Sequence, residues 1–87
     1  MPAGINYAGP PDRAEAVTPS DSVDLPNPCD ALWIGGAGNV KLIAAGDTDA
    51  VTFVAVPAGS ILPVRTRRVY STLTTATSIV AIRHTLR

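Results

Sequence analysis

From residue 31 onward the chain reads as short apolar or alternating runs separated by turn chemistry, a pattern that predicts strands. Ala31-Leu-Trp-Ile-Gly35 is a brief apolar run. In the next segment Val40, Leu42 and Ala44 alternate with Lys41, Ile43 and Ala45, the period-two signature of a strand with one partly solvated side. Val51-Thr-Phe-Val-Ala-Val56 is rich in β-branched residues, and Ile79-Val-Ala-Ile-Arg83 supplies a last strand. Ile61 to Tyr70 also reads as extended. Pro63 confines its first part to an edge or a bulge, because proline brings no amide hydrogen to a ladder. The adjacent Arg67 and Arg68 break its alternation, which points to a bulge or an oligomer contact there. The turn clusters are Gly36-Ala-Gly-Asn39, read as a tight hairpin, Gly46-Asp-Thr-Asp49 and Pro57-Ala-Gly-Ser60. Ser71 to Ser78 is a Ser/Thr tract. Five or six strands at roughly 8–12-residue spacing predict an all-β fold, a small antiparallel β-sandwich or barrel of jelly-roll-like kind.

The first 28 residues break this pattern. They contain six of the eight prolines (Pro2, Pro10, Pro11, Pro19, Pro26 and Pro28) and no sustained period. Proline removes backbone donors and biases the residue before it toward extended conformations. Residues 1–28 are therefore expected to form an extended Pro-rich N-terminal arm, followed by an antiparallel β domain over residues 29–87. Arg13 to Val17 could form a short helix, held to a turn or two by Pro10, Pro11 and Pro19. A secretory signal would need a basic start and a continuous apolar segment, and neither is found here.

Composition narrows the class. Of 87 residues, 46% are hydrophobic but only 5% aromatic, and 16% are charged, against a typical charged share of about 25%. The length excludes a multidomain enzyme. No apolar run approaches the ~18 residues of a membrane-spanning helix. Seven acids balance seven bases, so non-specific nucleic-acid binding is disfavoured. The single cysteine, Cys29, rules out a disulfide framework and any multi-cysteine metal site. Roughly sixty residues remain to build the body without a covalent or metal staple, which points to self-association. Charge is also segregated along the chain. Through Ala50 there are seven acids and two bases; from Val51 onward there are five bases and no acid. An acidic arm meeting a basic sheet, in the same or a neighbouring subunit, fits that asymmetry.

No catalytic constellation assembles. Gly35-Gly-Ala-Gly-Asn39 is followed by strand-forming residues and not by the Lys-Ser/Thr pair and helix of a phosphate loop. Asp47 and Asp49 lack the bidentate glutamate of a calcium loop and read as a solvated turn. His84 reads as a solvated tail histidine, and Cys29 as a half-buried packing thiol. Ser60, Ser71 and Ser78 have neither a nucleophile-elbow context nor a base partner. The chain is therefore read as a non-enzyme with no cofactor and no metal. The one concentrated polar feature is Arg65, Arg67 and Arg68. Arginine makes bidentate bonds to carboxylates and is enriched at interfaces, so these three, with Asp21 and Asp24 of the arm, are the candidate interface residues. Trp33 reads as a core anchor. A different class remains open, a β-barrel module for single-stranded nucleic acid or carbohydrate, although only Tyr70 and Phe53 lie near the arginines to stack on bases.

Asp30-Ala-Leu-Trp-Ile-Gly-Gly-Ala-Gly-Asn-Val-Lys41, Val51-Thr-Phe53, Val56-Pro-Ala-Gly-Ser-Ile-Leu-Pro-Val-Arg-Thr-Arg-Arg-Val-Tyr70 and Thr74-Thr-Ala-Thr77, with Val17-Thr-Pro-Ser-Asp-Ser22 upstream, carry a resemblance. Together they resemble the head spike base proteins of tailed phages and gene transfer agents over about residues 17 to 82. The resemblance implies a virion structural protein on the capsid exterior, made in the host cytoplasm. It would sit at five-fold vertices and carry a spike or fibre. The implied partners are copies of itself, as a pentamer, the major capsid protein and the spike or fibre protein, with neither nucleic acid nor membrane. The resemblance brings no catalytic residue.

Overall fold

The computed structural model describes residues 10–85. It contains seven strands: β1 (Arg13–Ala16), β2 (Ala31–Gly36), β3 (Gly38–Ala44), β4 (Val51–Val56), β5 (Ser60–Leu62), β6 (Thr66–Val69) and β7 (Thr77–Arg83). They form two antiparallel sheets, ordered β1-β7-β2-β5 and β4-β3-β6, stacked as a small sandwich. The all-β expectation holds. The short helix expected at Arg13–Val17 does not form. Arg13 to Ala16 instead pair with Arg83 to Val80, because an edge of β7 offers the backbone partners that a proline-flanked turn of helix lacks. Residues 1–9, the first third of the expected arm, lie outside the described residues.

Alternation along β2 sets the core. Leu32 and Ile34 point inward and are fully buried, as are Val40 and Leu42 from β3 in the facing sheet. Ile79 and Ala81 of β7, Val69 of β6 and Val56 of β4 complete the layer. Burying one Leu or Ile side chain contributes about 1.5–3 kcal/mol, so this aliphatic layer is the main source of stability. Trp33 is not a core anchor. It lies between Leu32 and Ile34, so the strand's pleat turns it outward, where it is 40% exposed. Cys29 is fully buried beside Thr66 rather than half-buried.

The glycine cluster does not make a hairpin. β2 and β3 belong to different sheets, and the chain crosses between them through Ala37 alone. Missing side chains permit this crossing. A Cβ on Gly36 would overlap the Thr77 hydroxyl oxygen, and one on Gly38 would sit 2.6 Å from the Ala76 amide nitrogen. Ile61–Tyr70 likewise splits between sheets. β5 ends just before Pro63, and β6 begins at Thr66. Of the two readings of the arginine pair, a bulge or an oligomer contact, the bulge is present: Ile43 faces Arg68 and Ala44 faces Thr66, so Arg67 is the extra residue. A second bulge lies in β4, where Ala55 takes φ 57° and donates its N–H to the Asn39 side chain at 3.0 Å.

Two substitutions check this architecture by chemical denaturation. Leu32→Ala is expected to lower stability by about 2–5 kcal/mol. Gly38→Ala is expected to cost about 1–3 kcal/mol through backbone crowding. A value near zero for either would contradict the packing described.

Candidate assembly interface

Residues 12–30 run along one side of the sandwich and tie its two sheets together. Asp12 N–H donates to Arg83 and Val17 N–H to Ile79, both on β7. The chain then crosses to the other sheet, where Ser20 N–H donates to Val69 and Leu25 N–H to Arg67, along β6. Cys29 exchanges backbone bonds with Thr66, and Asp30 N–H returns to Ile82 on β7. Pro19, Pro26 and Pro28 suit this path, since an extended strap pairing intermittently has little use for their missing donors.

The carboxylates of the strap are bound within the same chain. Asp21 accepts the N–H groups of Ser71 (3.1 Å) and Thr72 (2.9 Å) as well as the Thr72 hydroxyl, clamping the turn after β6. Asp24 sits between Arg68 Nε at 2.7 Å and Arg67 at 3.2 Å. Asp12 accepts the Thr85 N–H at 2.7 Å and its hydroxyl. Asp30 accepts the N–H of His84, which is half-buried rather than solvated. The Thr72 bonds hold the Asp21 carboxyl below its ordinary pKa, the Arg68 bond does so for Asp24, and the Thr85 bonds for Asp12. Burial pushes the Cys29 thiol up, so it is a poor nucleophile.

The candidate interface residues therefore separate. Arg67, Arg68, Asp21 and Asp24 meet one another or nearby backbone within the chain. Arg67 also donates to the Asp47 carbonyl at 3.1 Å. Arg65 stands apart, with its side chain 52% exposed and its nearest carboxylate, Asp30, 4.0 Å away. The aromatic groups of the nucleic-acid alternative are also engaged. Lys41 Nζ lies 4.7 Å from the Tyr70 ring centre and Arg68 lies 5.6 Å from it, while Phe53 packs against the core.

A surface that the residue pattern did not reveal lies on the outer face of the four-stranded sheet. Ala16 pairs with Val80, Val80 with Trp33 and Trp33 with Ile61, so one apolar row crosses all four strands. A second row, Ala14, Ile82 and Ala31, runs beside it. No charged side chain interrupts either row, and Trp33 and Ile61 are 40% and 53% exposed. The pleat sets Trp33 on the face opposite Leu32 and Ile34, and the residue pattern alone did not say which of the two faces is buried. On the opposite side of the molecule, β4 leaves Val51 and Val54 exposed. Among the described residues there is no cluster of three or more His, Cys, Asp or Glu that could hold a metal ion.

No protein-family model matches the chain, and no curated protein matches it. A chain from a solved structure described as the capsid of a native GTA particle, computed with C5 symmetry, does match. It is 36% identical, superposes with a TM-score of 0.79, and the alignment covers 92% of each chain.

The strap makes stability pH-dependent with a definite sign. The folded pKa values of Asp12, Asp21 and Asp24 are depressed below an unfolded value of about 3.9. Their contribution is thus complete above that value and is lost as pH falls through the lower folded values. The melting temperature is expected to hold steady from pH 7 to about 5 and then fall steeply. In the triple variant D12N/D21N/D24N it should start lower and fall less. Parallel curves for the two proteins would contradict the clamping role.

Proposed function

The chain belongs to the family of gene-transfer-agent and phage capsid proteins, and from that membership we propose that it is the base of a spike on the outside of a phage-like particle. The observation that carries this reading is the likeness to a gene-transfer-agent capsid chain over nearly the whole of both chains. At the coarser level the protein is a virion structural protein, located in the particle, that assembles with other capsid components. At the finer level, five copies form a closed ring at each five-fold vertex. They stand on the major capsid protein and carry a spike or fibre protein, with no chemistry performed and with neither nucleic acid nor membrane bound.

Several structural features support this role. The sandwich is small and tied along one side by its own strap, which suits a rigid plug more than a ligand-binding barrel. The charge-free outer face around Trp33 is an apolar surface of the kind that marks a protein contact. Arg65, exposed and weakly engaged, is the member of the arginine cluster that reaches a neighbouring subunit or the shell. Arg67, Arg68, Asp21 and Asp24 shape the surface beside it. The engagement of Arg67, Arg68 and Tyr70 within the chain weighs against phosphate and base recognition, because their charges and ring face are already spent on intramolecular partners.

A particle reconstruction tests the proposal. A short tag fused to the C-terminus should give extra density outside the shell at the five-fold vertices. Deleting the coding sequence should yield closed shells that lack spikes. Particles whose mass spectra contain no trace of the chain, or tag density on the inner surface, would overturn it.

A further inference from the structure

The two sheets leave four edges, and the described residues treat them differently. β6 is covered by the strap through the Ser20, Leu25 and Cys29 backbone bonds. β5 is only three residues long and runs into Pro63. Short, covered or proline-terminated edges are the usual protections against unwanted strand pairing. β4 is followed by Pro57, as β5 is by Pro63, but it is neither short nor covered. It is a six-residue strand, Val51-Thr-Phe-Val-Ala-Val56, with no charge and no proline, and among the described residues it pairs with β3 alone. Its one irregularity is the bulge at Ala55. Val54 is 70% exposed and Val51 is 55% exposed. β1 is the other open edge, paired with β7 alone and exposed at all four residues.

These two open strands lie at opposite corners. The strap places β1 above β6, and the three-residue turn between β4 and β5 places β5 above β4. A closed ring needs two different patches on opposite sides of each subunit, and this pair provides them. Charge fixes the direction. Asp47 and Asp49 immediately precede β4, and β1 begins at Arg13. Neither Arg13 nor Asp49 has an ion pair among the described residues. Adding β1 parallel to β4 sets Arg13 against the acidic turn and carries Ala16 toward Val54.

We infer that β4 of one copy is extended by β1 of the next copy, in parallel, so that the upper sheet of each subunit continues into the lower sheet of its neighbour around the ring. The partner is a second copy of this chain, recognised through backbone hydrogen bonds along an uncharged edge and one Arg13–Asp49 pair. This rests on the capsid reading above but goes beyond it, by naming the edges that meet.

Cysteine cross-linking within particles tests it. Ala16→Cys and Val54→Cys, introduced together, occupy exposed positions, while Cys29 is buried and unreactive. Treating purified particles with a bis-maleimide long enough to span a two-residue register difference, since pairing Arg13 with Asp49 sets Ala16 opposite Thr52, should give a ladder of multimers beyond the dimer. Val54→Cys alone should give no cross-link. R13E should reduce the ladder yield several-fold, and R13E combined with D49R should restore it. V54K, which adds a charge to the edge without touching the core, should abolish incorporation while leaving the melting temperature of the isolated chain unchanged. Dimers from Val54→Cys alone would mean that two β4 strands meet about a two-fold axis and would overturn the inference. So would an incorporated double-cysteine chain that yields no ladder, or V54K incorporated at the parental level. Absence of the parental chain from particles is a separate outcome: it removes the capsid reading, and this inference with it.

Discussion

The strap that runs from Asp12 to Asp30 is the constraint on which the rest of the structure depends. Two sheets of four and three short strands share one thin aliphatic layer, and a layer of that size leaves little margin for the sides to open. The strap closes one side by alternating its backbone donors between β7 and β6. Its aspartates then bind whatever donors the neighbouring turns present: Asp21 on Ser71 and Thr72, Asp24 on two arginines, Asp12 on Thr85. Individually such exposed contacts are weak. In series along one extended segment they hold it in a single path, because ordering the segment once serves every contact that follows.

This arrangement decides what remains for other molecules. Most of the acid-rich half of the chain is used to hold the basic half, so the surface is not a field of one sign that would gather nucleic acid. Besides Arg65, Arg13 and Asp49, what is left is largely apolar: the outer row Ala16, Val80, Trp33 and Ile61, and the bare edge of β4. Both are surfaces that another folded chain would cover. A subunit that neutralises its own charge and exposes aliphatic and aromatic groups is built for a fixed place in an assembly, which agrees with its membership of a capsid family.

The limits of reading by pattern show in three places. Leu-Trp-Ile carries no alternation of polarity, so the run could not say which of the three faces water; the facing sheet decided it by accepting Leu32 and Ile34. Gly36-Ala-Gly-Asn39 has hairpin composition, yet the same lack of side chains also lets a strand pass close against Thr77 and Ala76 and change sheets. Arg13 to Ala16 was legible only as a segment too short and too proline-bound for a proper helix, and an edge on β7, more than sixty residues later, made it a strand. In each case the local signal allowed two conformations and a distant backbone chose between them.

By itself the sequence determined the all-β class, the places where most strands start and stop, the break at Pro63, an irregularity at the paired arginines, and the segregation of acid from base. These follow from rules that act within a few residues: side-chain branching, missing amide hydrogens, and the two-residue repeat of a pleated strand. Tertiary structure alone decided which strands share a sheet, that Asp24 meets Arg67 and Arg68 of its own chain, and which apolar groups stay in contact with water. Those outcomes depend on partners tens of residues apart, and the order in which strands stack is set by how the two inner faces fit, a property no single segment contains.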